Sequence, residues 1–244
     1  MAGVAVNPEN GHVFTGNGAD RSLSEVDPVA MKELRSVDVA GPVDAIAFDS
    51  SLQRIYADED DGTRIFVIDA KTFKQIGTIA LPGHKPEYLA IDPKTHELYQ
   101  NIANLSEVVV VDPKSLRVSR VIKTPEVTSN HPLQFDSIFD QVLVGGANGK
   151  LSVYSSSGSL QHTIVVPEHI DQCSLDEQRH LLACAGSGKI TLIKNDPKTG
   201  PAIVGQIDVA RGMHTLAIDP KTGDIFAVWA TQSGDLIQRF TIKP

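Results

Sequence analysis

Six times along this chain a short apolar run closes on Asp or Asn. The runs are MAGVAVN, VDAIAFD, PEYLAID, NHPLQFD, IDQCSLD and MHTLAID, ending at Asn7, Asp49, Asp92, Asp136, Asp176 and Asp219. The closing residues are 42, 43, 44, 40 and 43 positions apart. A unit of this size cannot bury its own apolar face, so neighbouring units must stack and share a core. A period of about 40–45 residues built from short strands predicts a β-propeller. The expected fold is all-β, with four-stranded antiparallel blades and about six repeats. They cover approximately 1–41, 42–84, 85–127, 128–169, 170–212 and 213–244, and form a single domain over 1–244.

The third repeat shows the internal grammar. PEYLAID leads into the turn Pro93-Lys94-Thr95-His96, then ELYQNI, a loop, the β-branched run EVVVVD, a second turn at Pro113, and the alternating LRVSRVI. Short strands between Pro, Asn and Asp turns describe one antiparallel blade. The turns at Asp92, Asp112, Asp196 and Asp219 repeat as Asp-Pro-Lys-Thr or Asp-Pro-Lys-Ser. Proline presets the first corner, and the Asp side chain accepts a backbone N–H two residues on. First strands carry small or apolar residues, as an inner strand near an axis requires. Fourth strands such as Arg117 to Ile122 alternate and carry charge, as a rim requires. A weak helical patch spans Pro28 to Leu34. The sixth repeat shows three strands and no fourth. Either its blade has three strands or an N-terminal segment is missing. The expectation is a missing segment, up to a seventh blade, which would make this a truncated seven-bladed propeller.

Net charge is −8 and the isoelectric point about 5.4. Such a chain repels phosphate backbones and anionic membranes, so nucleic acid is excluded as a partner. No apolar stretch approaches the roughly 18 residues of a membrane span, which excludes membrane insertion. The opening MAGVAVNPENG has no basic or apolar leader region, so it is not expected to act as a signal peptide. Two cysteines, Cys173 and Cys184, fall opposite each other across a predicted hairpin. They form either a disulfide or two buried thiols.

Five residues before each closing position stand Ala2, Asp44, Glu87, His131, Asp171 and His214. In a radial array these equivalent positions converge on one channel mouth. The loops between second and third strands add Asn17, Asp58, Glu59, Asn101 and Trp229. Carboxylates gathered on one axis repel, which favours a bound cation, raised carboxylate pKa values, or wide separation in water. Asp44, Glu87, His131, Asp171 and His214 are therefore candidate metal ligands. The mixed oxygen and imidazole set suits Zn²⁺, Mn²⁺ or Fe²⁺, with Ca²⁺ a poorer fit because of the histidines. Asp171 and His214 are the candidate proton-transfer groups, and Asp58, Asn101 and Trp229 the candidate ligand contacts. The plain alternative is a solvated rim, since channel mouths are wet whatever their function. The run Asp58-Glu59-Asp60-Asp61-Gly62 lacks the ligand spacing of a Ca²⁺ loop and reads as a solvated loop. The stretches Gly145 to Gly149 and Gly186 to Gly188 join strands, so they do not cradle phosphate. His12, His96 and His180 fall in turns between first and second strands and are expected to be exposed.

Pro86-Glu87-Tyr88-Leu89-Ala90-Ile91, Arg54-Ile55-Tyr56-Ala57-Asp58, Val13-Phe14-Thr15-Gly16-Asn17 and Ile65-Phe66-Val67-Ile68-Asp69 together resemble the YVTN-type, YncE-like β-propeller repeat family. The resemblance covers essentially the whole chain. It implies a bacterial binding propeller that holds a small molecule, cation or protein at the channel mouth. It also implies a periplasmic or extracellular location. Lactonases and surface-layer proteins are among related propellers. A metal-assisted hydrolase and a structural module of the cell envelope are thus the alternatives.

Overall fold

The computed structural model describes residues 3–231 and 234–242. Its elements form six antiparallel sheets, the blades of a β-propeller. Blade 1 comprises β1 (Val4–Val6), β2 (Val13–Asn17), β3 (Ser22–Asp27) and β4 (Lys32–Asp38). Blade 2 comprises β5 (Val43–Asp49), β6 (Arg54–Glu59), β7 (Arg64–Asp69) and β8 (Lys74–Ala80). Blade 3 comprises β9 (Pro86–Ile91), β10 (Leu98–Ile102), β11 (Glu107–Asp112) and β12 (Arg117–Lys123). Blade 4 comprises β13 (Asn130–Asp136), β14 (Gln141–Gly146), β15 (Lys150–Ser155) and β16 (Leu160–Val165). Blade 5 comprises β17 (Ile170–Asp176), β18 (Leu181–Gly186), β19 (Lys189–Lys194) and β20 (Ala202–Asp208). Blade 6 has three strands, β21 (Thr215–Ile218), β22 (Ile225–Thr231) and β23 (Gly234–Phe240). No helix occurs among the described residues. The stretch Pro28 to Leu34 is a turn leading into β4, because the left-handed Met31 breaks any helical run there.

The chain divides into two compact units, Met1–Ile122 and Lys123–Pro244. In the first unit β1, β5 and β9 lie side by side, and in the second β13, β17 and β21 do. Each unit buries its apolar residues between adjacent sheets. Phe14, Leu23 and Ile55 pack between blades 1 and 2, and Tyr56, Leu98 and Val109 between blades 2 and 3. Leu143, Ile170 and Ile193 pack between blades 4 and 5, and Ala183, Leu216 and Ile225 between blades 5 and 6.

The repeated turns work as their sequence dictates. The carboxylates of Asp92, Asp112, Asp196 and Asp219 accept the N–H of Lys94, Lys114, Lys198 and Lys221 at 2.8–3.0 Å. These bonds, joined at Asp196 by the stronger effect of the Thr199 N–H, favour the ionised form and hold Asp112, Asp196 and Asp219 below the ordinary carboxylate value. Cys173 and Cys184 are directly opposite in the β17–β18 ladder and form a disulfide. Their Cα atoms are 4.1 Å apart, close to the spacing of a non-hydrogen-bonded antiparallel pair.

Candidate functional site

The inner strands deliver their polar residues through one backbone device. β5, β9, β13 and β17 each carry a register shift near their start. Asp44 and Ala45 together face Asp58, Tyr88 is the extra residue beside Glu87, His131 and Pro132 share one bulge, and Asp171 is the extra residue of β17. A bulge twists its strand and re-aims a side chain, and bulges concentrate next to active sites. Lys85, Ser129 and His169, each two residues ahead of a candidate, hold left-handed φ angles of 49° to 57°. Tyr88 does so as well, at 44°. Non-glycine residues adopt this conformation at a cost, and it is tolerated where surrounding structure enforces it.

In the first unit the outcome is acidic. Asp58 ends up fully buried rather than in a solvated loop. One of its oxygens accepts the Ala45 N–H at 2.7 Å, which satisfies an amide the bulge would otherwise strand. The other accepts a hydrogen bond from Gln100 Nε2 at 3.1 Å. Burial pushes the Asp58 carboxyl well above its ordinary value. The Asp44 charge adds to this, the Ala45 and Gln100 hydrogen bonds oppose it, and Glu87 raises it further. Gln100 Oε1 is buried without a hydrogen-bond partner, while its Nε2 also reaches the carbonyls of Tyr88 and Asn101. Asn101 is fully buried opposite Glu87. Glu59 is buried too and meets the Arg64 guanidinium through two bonds of 2.6 and 2.8 Å. Those bonds hold its carboxyl below the ordinary value. Of the acidic run, Asp60 and Asp61 alone are exposed acids, so the solvated-loop expectation holds for them and fails for Asp58 and Glu59. The last residues of β6 turn inward instead.

In the second unit the same register position builds a different assembly. The Asp171 carboxylate joins two imidazoles, with His131 Nδ1 3.1 Å from Oδ1 and His214 Nδ1 3.0 Å from Oδ2. His131 Nδ1 also lies 2.8 Å from the Asp171 carbonyl. The side chains of His131, Asp171 and His214 are 36%, 32% and 59% exposed, so the assembly is open to solvent. An imidazole that donates Nδ1–H to a carboxylate keeps its lone pair on Nε2, with ring orientation fixed. Gly145 is the β14 residue facing this bulge in blade 4. A Cβ there would come within 2.4 Å of Ile170 and 2.7 Å of Pro132, so the glycine permits the close approach.

The other candidates are placed as follows. Trp229 lies within β22, half-buried, and packs against the apolar cluster between blades 5 and 6. Asn17 ends β2 and donates to Ser24 Oγ at 2.9 Å. Ala2 lies outside the described residues. His12, His96 and His180 are half-buried rather than exposed. Each has a partner: Glu25, Asp49 and the Phe139 ring, respectively. Among the described residues, no group of three or more His, Cys, Asp or Glu side chains is arranged to hold a metal ion. Both Nδ1 atoms of the second unit already face the carboxylate.

Sequence reasoning missed the bulges, the Gln100 amide and a polar cleft of about 540 Å³ in the first unit. Asn7, Glu9, Glu25, Arg35, Ser50 and Gln53 line that cleft. Burial pushes the Glu25 carboxyl up, but His12 and Arg35 outweigh this and hold it below the ordinary value.

No protein-family profile matches the chain, and no curated protein matches it. Solved structures do. The hydrazine synthase of Kuenenia stuttgartiensis superposes with a TM-score of 0.83 at 13% identity, over 99% of this chain and 84% of that one. A chain of the mitotic checkpoint complex does so with a TM-score of 0.84 at 13% identity, over 99% of this chain and 74% of that one. At this identity the likeness shows a shared fold, the β-propeller, and nothing about chemistry.

Proposed function

We propose that this propeller is a binding protein of YVTN-like type that holds a small polar ligand at the bulged starts of its inner strands. The observation that carries the reading is the His131–Asp171–His214 assembly. One carboxylate orients two solvent-accessible imidazoles at the same register position of successive blades. A hydrogen-bonding ligand, neutral or cationic, suits this assembly and the net charge of −8. Asp44 and Glu87 belong to the same proposal as the acidic counterparts in the first unit. A location outside the cytoplasm is part of the proposal, by family resemblance alone.

The test is a thermal-shift screen of small polar compounds and of Zn²⁺, Mn²⁺, Fe²⁺ and Ca²⁺, run beside the Asp171→Asn variant. A ligand at 100 times its Kd stabilises the chain by about 2.7 kcal/mol. The expected result is a shift that Asp171→Asn abolishes. A shift of equal size in the variant would remove the assembly from the site.

A second reading is hydrolytic. Asp171 anchors Nδ1 of His214, so Nε2 could take a proton from water attacking an ester or lactone. A screen of such substrates against wild type and His214→Ala decides it. Turnover that survives the substitution would dismiss it.

A further inference from the structure

Within the first unit, the boundary between blades 1 and 2 differs from that between blades 2 and 3 at one pair of repeat positions. The residue that closes the first apolar run is Asn7 in blade 1 and Asp49 in blade 2, and both are buried. Its counterpart on the next blade is Gln53 or His96, each held in the left-handed conformation at φ angles of 53° and 63°. Between blades 2 and 3, one Asp49 oxygen accepts the Leu52 N–H at 2.9 Å and the other lies 2.9 Å from His96 Nδ1. That contact ties the two blades together. Between blades 1 and 2, two amides replace the acid and the imidazole. Asn7 Oδ1 accepts the Glu9 N–H at 3.0 Å, which fixes how the amide is turned and leaves Nδ2 as a donor. Gln53 Nε2 donates to the Ser50 carbonyl at 2.7 Å and reaches Glu9 Oε1 at 3.4 Å. Asn7 and Gln53 do not bond to each other, and both line the cleft of about 540 Å³.

Asn7 is only 6% exposed, yet its Nδ2 has no partner among the described residues. A buried donor in the wall of a polar cleft calls for an acceptor from outside the chain. Asn10 Oδ1 is likewise taken, by the His12 N–H at 2.9 Å, so a second amide donor lines the same space. Gln53 Oε1 and the hydroxyls of Ser50 and Ser51 add acceptors. Charge in the lining is balanced, with Glu9 and Glu25 against Arg35 and Lys71, and Arg35 is already bonded to Glu25. A neutral ligand therefore suits the cleft. Among the described residues, Ala70 alone is apolar in the lining, which leaves no surface for an aromatic or alkyl group to cover. An anion would use the donors alone, and a metal ion the acceptors alone. A hydroxyl group both donates and accepts, so a polyhydroxylated molecule uses the whole set. The volume falls within the range of about 300–1,000 Å³ typical of small-molecule sites.

We propose that the cleft between blades 1 and 2 is a separate binding site for a small neutral sugar or polyol, with Asn7 Nδ2 as its buried anchor. The site uses none of the residues of the His131–Asp171–His214 assembly.

An NMR titration of the isotope-labelled full chain tests this with glucose, galactose, trehalose and myo-inositol. Each is raised to about 20 mM, well above a Kd of about 1 mM. Backbone amides of residues 7–12, 50–53 and 70–71 should shift and saturate with at least one of them. Asn7→Asp keeps the acceptor for the Glu9 N–H and installs the residue type that blade 2 carries, while removing the donor. It should weaken binding about tenfold. Asn7→Asp/Gln53→His rebuilds the Asp49–His96 pair at this boundary and should abolish the shifts. An unchanged or raised melting temperature shows that both variants are folded. Asp171→Asn should bind the same compounds as the wild type does, and inorganic phosphate should not saturate these amides. The proposal is overturned if none of the four compounds shifts them, or if the double variant binds as tightly as the wild type. Phosphate binding in their place, or loss of binding in Asp171→Asn, overturns it as well.

Discussion

Blade 2 and blade 5 place an aspartate at the same bulged position and treat it in opposite ways. In blade 2, Asp44 sits beside the buried Asp58, and burial, aided by their repulsion, pushes the Asp58 carboxyl well up. In blade 5, Asp171 stands between two imidazoles and remains a third exposed. Two positions further on, blade 2 pairs Ile46 with Ala57, while blade 5 pairs Cys173 with Cys184 through a disulfide. One backbone device thus yields an acidic interior in the first unit and a hydrogen-bonded imidazole assembly in the second. A repeat fixes where a side chain stands, and the residue types of its neighbours fix its chemistry.

Replacing Asp58 strains this comparison most. Asp58→Ala leaves the Ala45 N–H buried without its acceptor and removes one of three bonds from Gln100 Nε2, for a loss of about 2–3 kcal/mol read from urea unfolding. Nearly as large is the effect of Cys173→Ala/Cys184→Ala. A bridge spanning 11 residues contributes about 2–3 kcal/mol, so a comparable fall in unfolding free energy is expected. Asp58→Asn keeps the acceptor for the Ala45 N–H and removes the charge, and its NH2 donates to Gln100 Oε1 once the Gln100 amide turns over. A group whose folded pKa is raised gives stability that is complete below its unfolded value, near 3.8, and is lost as pH rises through the folded value. Wild-type stability should therefore fall across that window, and the Asn variant should be flatter. Parallel curves would mean that Asp58 titrates as an ordinary carboxyl. The smallest effect on stability belongs to Asp171→Asn, under about 1 kcal/mol because the group is partly solvated. In that variant the ring Nδ1 proton of His214 should lose its protection in NMR spectra, while that of His131 keeps the Asp171 carbonyl. An unchanged His214 signal would show that the Asp171 carboxylate does not orient it.

The propeller was legible because six copies of one pattern agree in register. The three strands of blade 6 and the facing of Cys173 and Cys184 followed from the strand pattern alone. The fate of Asp58 and Glu59 did not. Four acids followed by glycine look like a solvated loop, and only the bulge at Asp44 and Ala45 draws Asp58 inward as an acceptor. A bulge is a mismatch between two strands, so one strand's sequence does not announce it. The positions of His131, Asp171 and His214 were legible, but not their pairing. That depends on the approach of neighbouring blades, which Gly145 permits and no periodicity encodes. Trp229 looked like a loop contact because its position lies near a strand end. The strand in fact runs on to Thr231, which leaves the indole against the core.

The Cys173–Cys184 bridge also sets how this chain would behave under tension. Pulled from its two ends, the molecule can pay out backbone from every blade except the short hairpin enclosed by the two sulfurs. That hairpin spans 11 residues and the bridge itself keeps 4.1 Å between Cα atoms, so the extended thread should stop about 32–36 Å short of its reduced length. Asp171 lies two residues outside the clasp, on the side that peels away, so its imidazole partners would be released while the clasp still held.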